Sequence, residues 1–213
     1  METTREEKRR QLVLLEWKLF QQVHNEGGRA SCQEDPETFF IMRSSQFAPW
    51  GEDLLDSWYR DLLDGEAEGR NLLAEKYAWM MARTTPRAFE GLRSRLREPT
   101  EEALAQIDRI VALELKGMEQ YRAQYPCLAG GNRPLRSAQD GGGITSFETY
   151  LWGELHTYSL HTLRLYREMT EELDRAGTSL TMAVMEHMVE AYGYRSLEEA
   201  ERHEAIRRTG RGR

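Results

Sequence analysis

Apolar residues recur at intervals of three and four along almost the entire chain, the period of a helix that buries one face. From Arg5 to about Glu26 the stripe is Leu12, Leu15, Leu19 and Val23, and Gly27-Gly28 stops it. Asp35-Pro36 is a cap followed by a first helical position where a missing N–H costs nothing, so a short second helix begins there, carries Phe39, Phe40 and Met42, and closes at Pro49. A third helix is predicted over Glu52 to about Glu66 and a fourth over about Arg70 to Arg83. Thr85-Pro86 repeats the cap-then-proline signal for a fifth that ends near Arg97. After Thr100 the series Leu104, Ile107, Val111, Leu115, Met118 marks a long sixth helix.

From Pro126 to Ile144 the pattern stops, and Gly130, Gly131, Pro134 and Gly141 to Gly143 argue against a sustained helix. Thr145-x-x-Glu148 then reads as a capping box opening a seventh helix that continues to about Arg175. An eighth helix spans about Ser179 to Tyr192 and ends at Gly193. Ser196 and Glu199 open a last helix that frays into an Arg-rich tail over 201–213. The prediction is an all-α fold, one domain of about eight or nine helices over residues 1–213, with 5–200 as its body and one long Gly/Arg-containing loop.

Composition agrees. Among 213 residues, 25 Leu and 9 Met stand against 5 Val and 5 Ile, a choice that favours helix over sheet. A net charge of -7 argues against broad nucleic-acid binding. The longest apolar run, Tyr77 to Ala82, is far short of the roughly 18 residues of a membrane span. Glu16 and Lys18 interrupt the only stretch that resembles a secretory signal, so a cytoplasmic location is expected. Two cysteines, Cys32 and Cys127, lack metal-ligand spacing, and no Glu-x-x-His pair occurs for a di-iron centre. No cofactor signature is present, and a homodimer is left open.

Four places depart from what packing alone requires. Arg133-Pro134-Leu135-Arg136, followed by Ser137 and Asp140, puts two guanidiniums on a stiffened loop suited to capturing a carboxylate or phosphate. The turn Gly27-Gly28-Arg29-Ala30-Ser31-Cys32-Gln33 places the donors of Arg29, Ser31 and Gln33 just before a helix start. On the seventh helix Tyr150, Glu154, Tyr158 and His161 share a face, where a carboxylate withdrawn from water would have its proton affinity raised. Glu16, between Val13 and Phe20, is a candidate buried carboxylate that needs a donor such as an arginine. Cys32 with His24 as base is a further candidate nucleophile, although a free cysteine is more often a small buried hydrophobe.

Several of these residues fall in a wider pattern: Glu16-Trp17 with Phe20, the Gly-Gly-Arg turn, Thr38-Phe39, Ile41-Met42-Arg43 with Ser45-Gln46, and Glu68 to Leu73 with Glu75-Lys76-Tyr77. Arg133-Pro134 with Arg136-Ser137, Thr145 to Leu151 with Gly153-Glu154-Leu155, Tyr158-Ser159 and Tyr192-Gly193-Tyr194 extend it. From about Leu15 to Glu199 the chain resembles bacterial domain-of-unknown-function family 4125. The resemblance implies a single-domain protein and no particular reaction, and it adds Arg43 and Gln46 to the candidate residues.

The expectation is a cofactor-independent acid–base enzyme of lyase, isomerase or cyclase type, acting on a small carboxylated or amino-acid-like molecule, with specialised metabolism as its setting. Arg29, Arg133 and Arg136, with Arg43, would grip the anion, while Ser31, Gln33, Gln46 and Ser137 would orient it. Glu154 with Tyr150 or Tyr158, and Glu16, would handle protons. One alternative is a non-catalytic interaction module exposing Trp50, Trp58, Trp79 and Met80. Another is a haem or other metallocofactor protein using His156, His161 or His187.

Overall fold

The computed structural model describes residues 4–24 and 28–210. Its helices are α1 (Arg5–Gln21), α2 (Pro36–Phe47), α3 (Glu52–Ala67), α4 (Leu72–Thr84), α5 (Pro86–Glu90), α6 (Glu101–Gln124), α7 (Pro126–Ala129), α8 (Phe147–Leu155), α9 (Leu160–Arg175), α10 (Leu180–Ala191) and α11 (Leu197–Gly210). The fold is all-α, with no strand among the described residues. The 24-residue α6 is the axis: α8, α9 and α10 pack along it, and α10 joins it to α2. On the other flank α1 packs against α2, α3 and α4, and α4 lies against α8.

Side-chain caps set many of the helix starts. Asp35 accepts from Thr38 N at 3.0 Å with Pro36 in the first position, and Thr100, Ser179 and Ser196 cap α6, α10 and α11. Thr85 precedes Pro86 but makes no side-chain cap bond, and the helix it opens breaks at Gly91, followed only by a tight turn at Arg93–Arg95. At α8 the cap is Ser146, not Thr145, and the Glu148 carboxylate takes the N–H of Ser137 instead of closing a capping box.

The predicted seventh helix is two helices. Thr157 Oγ1 donates back to Glu154 O at 2.7 Å, Ser159 caps α9, and Asp61 on α3 accepts from both Ser159 N and Thr162 Oγ1, at 2.9 and 2.6 Å. These bonds hold the chain in a turn at 156–159 that side-chain periodicity alone does not reveal. The helix therefore changes direction, and His161 is exposed, away from Tyr150 and Glu154.

Two further boundaries differ from expectation. α1 ends at Gln21, because the buried Gln33 amide takes the carbonyls of Phe20 and Val23 that further turns would have used. The expected stop at Gly27 lies outside the described residues. The Arg-rich end does not fray at 201: α11 runs to Gly210, and Arg207 and Arg208 pair with Glu204. Residues 126–144 hold one helical turn, whose Cys127 and Leu128 N–H groups bond Glu201, then tight turns in which Gly141 to Gly143 have positive φ.

The core contains Trp50, Trp58, Phe47, Tyr121, Ile107, Ile110 and Leu155, and Trp79 and Met80 are buried with it. Two helix pairs approach closely through glycine. A Cβ on Gly153 would stand 2.6 Å from Met80 Cγ and 2.8 Å from Lys76 O, and one on Gly117 would stand 2.6 Å from Ser179 Cβ. The first contact sets the α4–α8 spacing.

Glu114 is the core's uncompensated acid. It is buried, with no cation beside it among the described residues and only long hydrogen bonds from Tyr166 and Thr181, at 3.5 and 3.4 Å. Burial outweighs those bonds and pushes its carboxyl up to about 7. The native state then holds the proton more tightly than the unfolded chain does. The resulting stability is complete below the ordinary carboxyl value of 4.5 and is lost as pH rises through about 7. Glu114→Gln should remove that slope and stabilise the protein at pH ~8 by up to about 3 kcal/mol, which urea titrations at several pH values will measure.

Candidate functional site

Between the α1–α2 side of the molecule and the α4–α8 pair lies a cavity of about 440 Å³, within the range of about 300–1,000 Å³ usual for small-molecule sites. Its floor is ionic. Glu16 is fully buried in α1, and Arg43 of α2 reaches it with Nε and a terminal nitrogen, a two-pronged grip to which Trp58 Nε1 adds a bond at 2.8 Å. The same guanidinium approaches Glu154 Oε1 at 3.2 Å, and Lys76 Nζ of α4 meets Glu154 Oε2 at 2.6 Å. Tyr158 donates to Glu154 at 3.1 Å, and Gln46 accepts from Arg43 at 2.5 Å. Two carboxylates and two cations thus neutralise one another, as buried charges must.

This network reverses the expected proton affinity of Glu154. Burial alone would raise it, but Lys76 and Arg43, with hydrogen bonds from Lys76 and Tyr158, outweigh that and hold the carboxyl at about 2. Glu154 stays ionised and fully engaged at neutral pH, so it is a poor proton shuttle. Tyr158 behaves oppositely: burial and the neighbouring carboxylate keep its phenol well above 10, and its hydroxyl is spent on Glu154.

Tyr150 is placed differently. One turn before Glu154, it has Lys76 Nζ 3.8 Å and the Arg133 guanidinium 4.8 Å from its ring centre. Burial opposes ionisation of its phenol, but the charge of Lys76 and hydrogen bonds from Lys76 and Tyr77 bring it below the ordinary 10. Tyr77, in contact with Tyr150, is raised by its own burial and by the charge of its neighbour. Of the two phenols, Tyr150 is the one whose ionised form the site favours.

Arg133 stands at the rim. Pro134 and Leu135 carbonyls accept the first N–H groups of α8, at 2.8 and 3.1 Å, and Leu135 is buried, so the loop is pinned where it crosses the helix start. That anchoring separates the two arginines expected to act together. Arg133 faces the cavity, while Arg136 lies outside it and pairs with Glu119 of α6. Ser137 spends its N–H on Glu148, also away from the cavity. Among the described residues no carboxylate pairs with Arg133, whose other contact is Thr145 O at 3.5 Å.

The Gly-Gly-Arg turn contributes less than expected. Ala30 and Cys32 line the cavity, but Arg29 folds onto Gln21 and the Gln33 carbonyl, Ser31 is exposed, and Gln33 is buried as the stitch that ends α1. Of the candidates, Glu16, Arg43, Gln46, Arg133, Tyr150, Glu154 and Tyr158 come together here. Arg29, Ser31, Gln33, Arg136 and Ser137 do not. The apolar wall is Phe20, Val23, Phe39, Met42, Leu72, Leu73 and Met80.

Lys76 was not among the chemical candidates, although its signal was present: it shares the apolar stripe of α4 with Leu72, Leu73 and Met80, where a charge needs a partner. Tyr77 beside it was missed too. His156 lies elsewhere, on a second cavity of about 460 Å³ in which Asp61, Asp64, Glu68 and Glu98 face Arg70 and Arg97. Its ring packs between Trp79 and Trp152, Nδ1 bonds Trp152 O at 2.7 Å, and burial brings its pKa down to about 4. His161 and His187 are exposed, and no group of three or more potential metal-ligating side chains occurs among the described residues.

Because Glu16 is fully buried, Arg43→Met would strand it and should cost about 3–5 kcal/mol in chemical denaturation. Arg43→Lys keeps the charge but not the two-pronged geometry and should recover only part of that loss. The Glu154 contribution has the opposite pH sign to that of Glu114. It is present above the ordinary 4.5 and disappears as pH falls towards about 2, so Glu154→Gln should flatten the acid limb of the stability profile.

No curated protein and no solved structure matches the chain. No helix among the described residues is long and apolar enough to cross a membrane. A family model matches residues 6–202, a span that contains every residue of the ionic floor, Tyr150 and Arg133, and the chain therefore belongs to the family described as "Protein of unknown function (DUF4125)".

Proposed function

We propose that this protein is a cofactor-independent acid–base enzyme acting on a small carboxylated molecule. One observation carries the reading: the Arg133 guanidinium, without a carboxylate partner among the described residues, and the Tyr150–Lys76–Glu154 group face one cavity, so a ligand held by the first lies against the second. Arg133 receives the substrate carboxylate. Tyr150, as phenolate, takes a proton from carbon next to that carboxylate and returns it at the same or another position. Lys76 stabilises the phenolate, and Arg133 the negative charge that develops on the substrate as the C–H electron pair moves toward the carboxylate.

Glu154 and Glu16 belong to the framework in this reading. Glu154 holds Lys76 beneath Tyr150, and Glu16 holds Arg43, which in turn holds Glu154. Isomerisation, elimination and cyclisation each have a route that begins with such a proton transfer. The burial of Trp50, Trp58, Trp79 and Met80 leaves the apolar docking surface of an interaction module without its expected residues, which further supports the cavity as the working part.

The test is incubation of the purified protein with a bacterial metabolite extract in deuterated water, followed by mass spectrometry of carboxylate-bearing compounds. Wild-type protein should label or convert at least one of them. Tyr150→Phe, which keeps the ring and loses the hydroxyl, should slow that step by about 10²–10⁴-fold. Arg133→Gln should chiefly raise KM. A Tyr150→Phe protein with wild-type rates would remove the reading.

A further inference from the structure

The cavity discriminates between ligands by what it leaves unpaired. Glu154 accepts from Arg43 and Tyr158 on one oxygen and from Lys76 on the other, and both Glu16 oxygens accept from Arg43, one of them also from Trp58. The floor therefore presents no uncompensated carboxylate to a ligand ammonium. Asp35, also on the lining, caps α2, and the partial positive charge of that helix start offsets part of its own. Among the described residues lining the cavity, Arg133 is the cation without a carboxylate partner.

Apolar surface is also left over, and it is concentrated on one wall. Met42 is 49% exposed although it lines a cavity, and Phe39 beside it is only partly buried. Phe39 is held by stacking on Phe20, with ring centres 5.3 Å and planes 14° apart, and by Trp17 at 4.9 Å. A flat, rigidly backed ring next to a polarisable thioether matches the face of another aromatic ring. Phe39 and Met42 line the cavity from α2, and Arg133 and Tyr150 line it from the 126–144 loop and α8.

We infer that the ligand is an arylalkanoate, an aromatic ring joined by a short chain to one carboxylate and carrying no charged amine, with the ring against Phe39 and Met42 and the carboxylate at Arg133. This rests on the proposed function and narrows it, since it sets aside the zwitterionic amino acids that the sequence left open.

Calorimetric titration of the full chain with four matched probes tests it: 3-phenylpropanoate, 3-cyclohexylpropanoate, L-phenylalanine and phenethylamine. We expect 3-phenylpropanoate to bind about tenfold or more tightly than L-phenylalanine or phenethylamine, and about threefold more tightly than its cyclohexyl counterpart. Arg133→Gln should weaken it by about tenfold.

Equal binding of L-phenylalanine or of the cyclohexyl acid overturns the inference, as does an unchanged affinity in Arg133→Gln or no binding of 3-phenylpropanoate at millimolar concentration. The catalytic reading fails separately. If the binding preferences hold while Tyr150→Phe exchanges protons as wild type does, the ligand assignment stands and the acid–base role of Tyr150 does not.

Discussion

Everything in this molecule that concerns its cavity depends on burying four charges together. Glu16, Arg43, Lys76 and Glu154 come from α1, α2, α4 and α8, and none is tolerable in that position without the others. Hydrophobic packing lets helices slide by small amounts at little cost. A guanidinium that must meet two carboxylates at once does not, and it locks α1, α2 and α8 in one register, to which Lys76 adds α4. Trp58, buried in the core yet donating to Glu16, ties that register to α3 and so to the apolar interior.

The same neutrality gives the cavity its chemical character. Because the floor cancels internally, the field a ligand meets is set by the two groups outside the cancellation, Arg133 and the Tyr150 phenol. Neither is deeply committed to folding, and each reaches the cavity from a start that backbone hydrogen bonds fix: the pinned loop for Arg133 and the Ser146-capped turn of α8 for Tyr150. Rigid placement of a few lightly engaged groups is what a binding site requires.

Much of the helical plan was legible because caps and apolar spacing are local. The caps at Asp35-Pro36, Thr100 and Ser196, and a helix start near Ser179, read correctly without any knowledge of tertiary structure. Glu16 was legible as well, since a carboxylate within an apolar row announces a missing partner. The identity of that partner was not, because Arg43 is nearly thirty positions away on another helix and looks like any surface arginine. Arg133 and Arg136 are locally equivalent, and only the burial of Leu135 between them and the bonds to α8 send one inward and the other out. The turn at 156–159 was hidden for a similar reason: Asp61, which stabilises it, lies on α3, and the residues on either side keep helical spacing. The seventh helix therefore read as one, and His161 was assigned a face it does not share.

Gly153 joins these levels. Its bare Cα lets α8 rest on the backbone of Lys76, and the length of that contact fixes how far the Lys76 amine stands from Glu154. Adding a methyl group there would touch no ionisable atom and leave the helical plan unaltered, yet it would work as a wedge whose tip falls on the ion pair. Such a lesion suits a conditional allele, tolerated in the cold and failing on warming, in which the cavity loosens before the rest of the bundle melts.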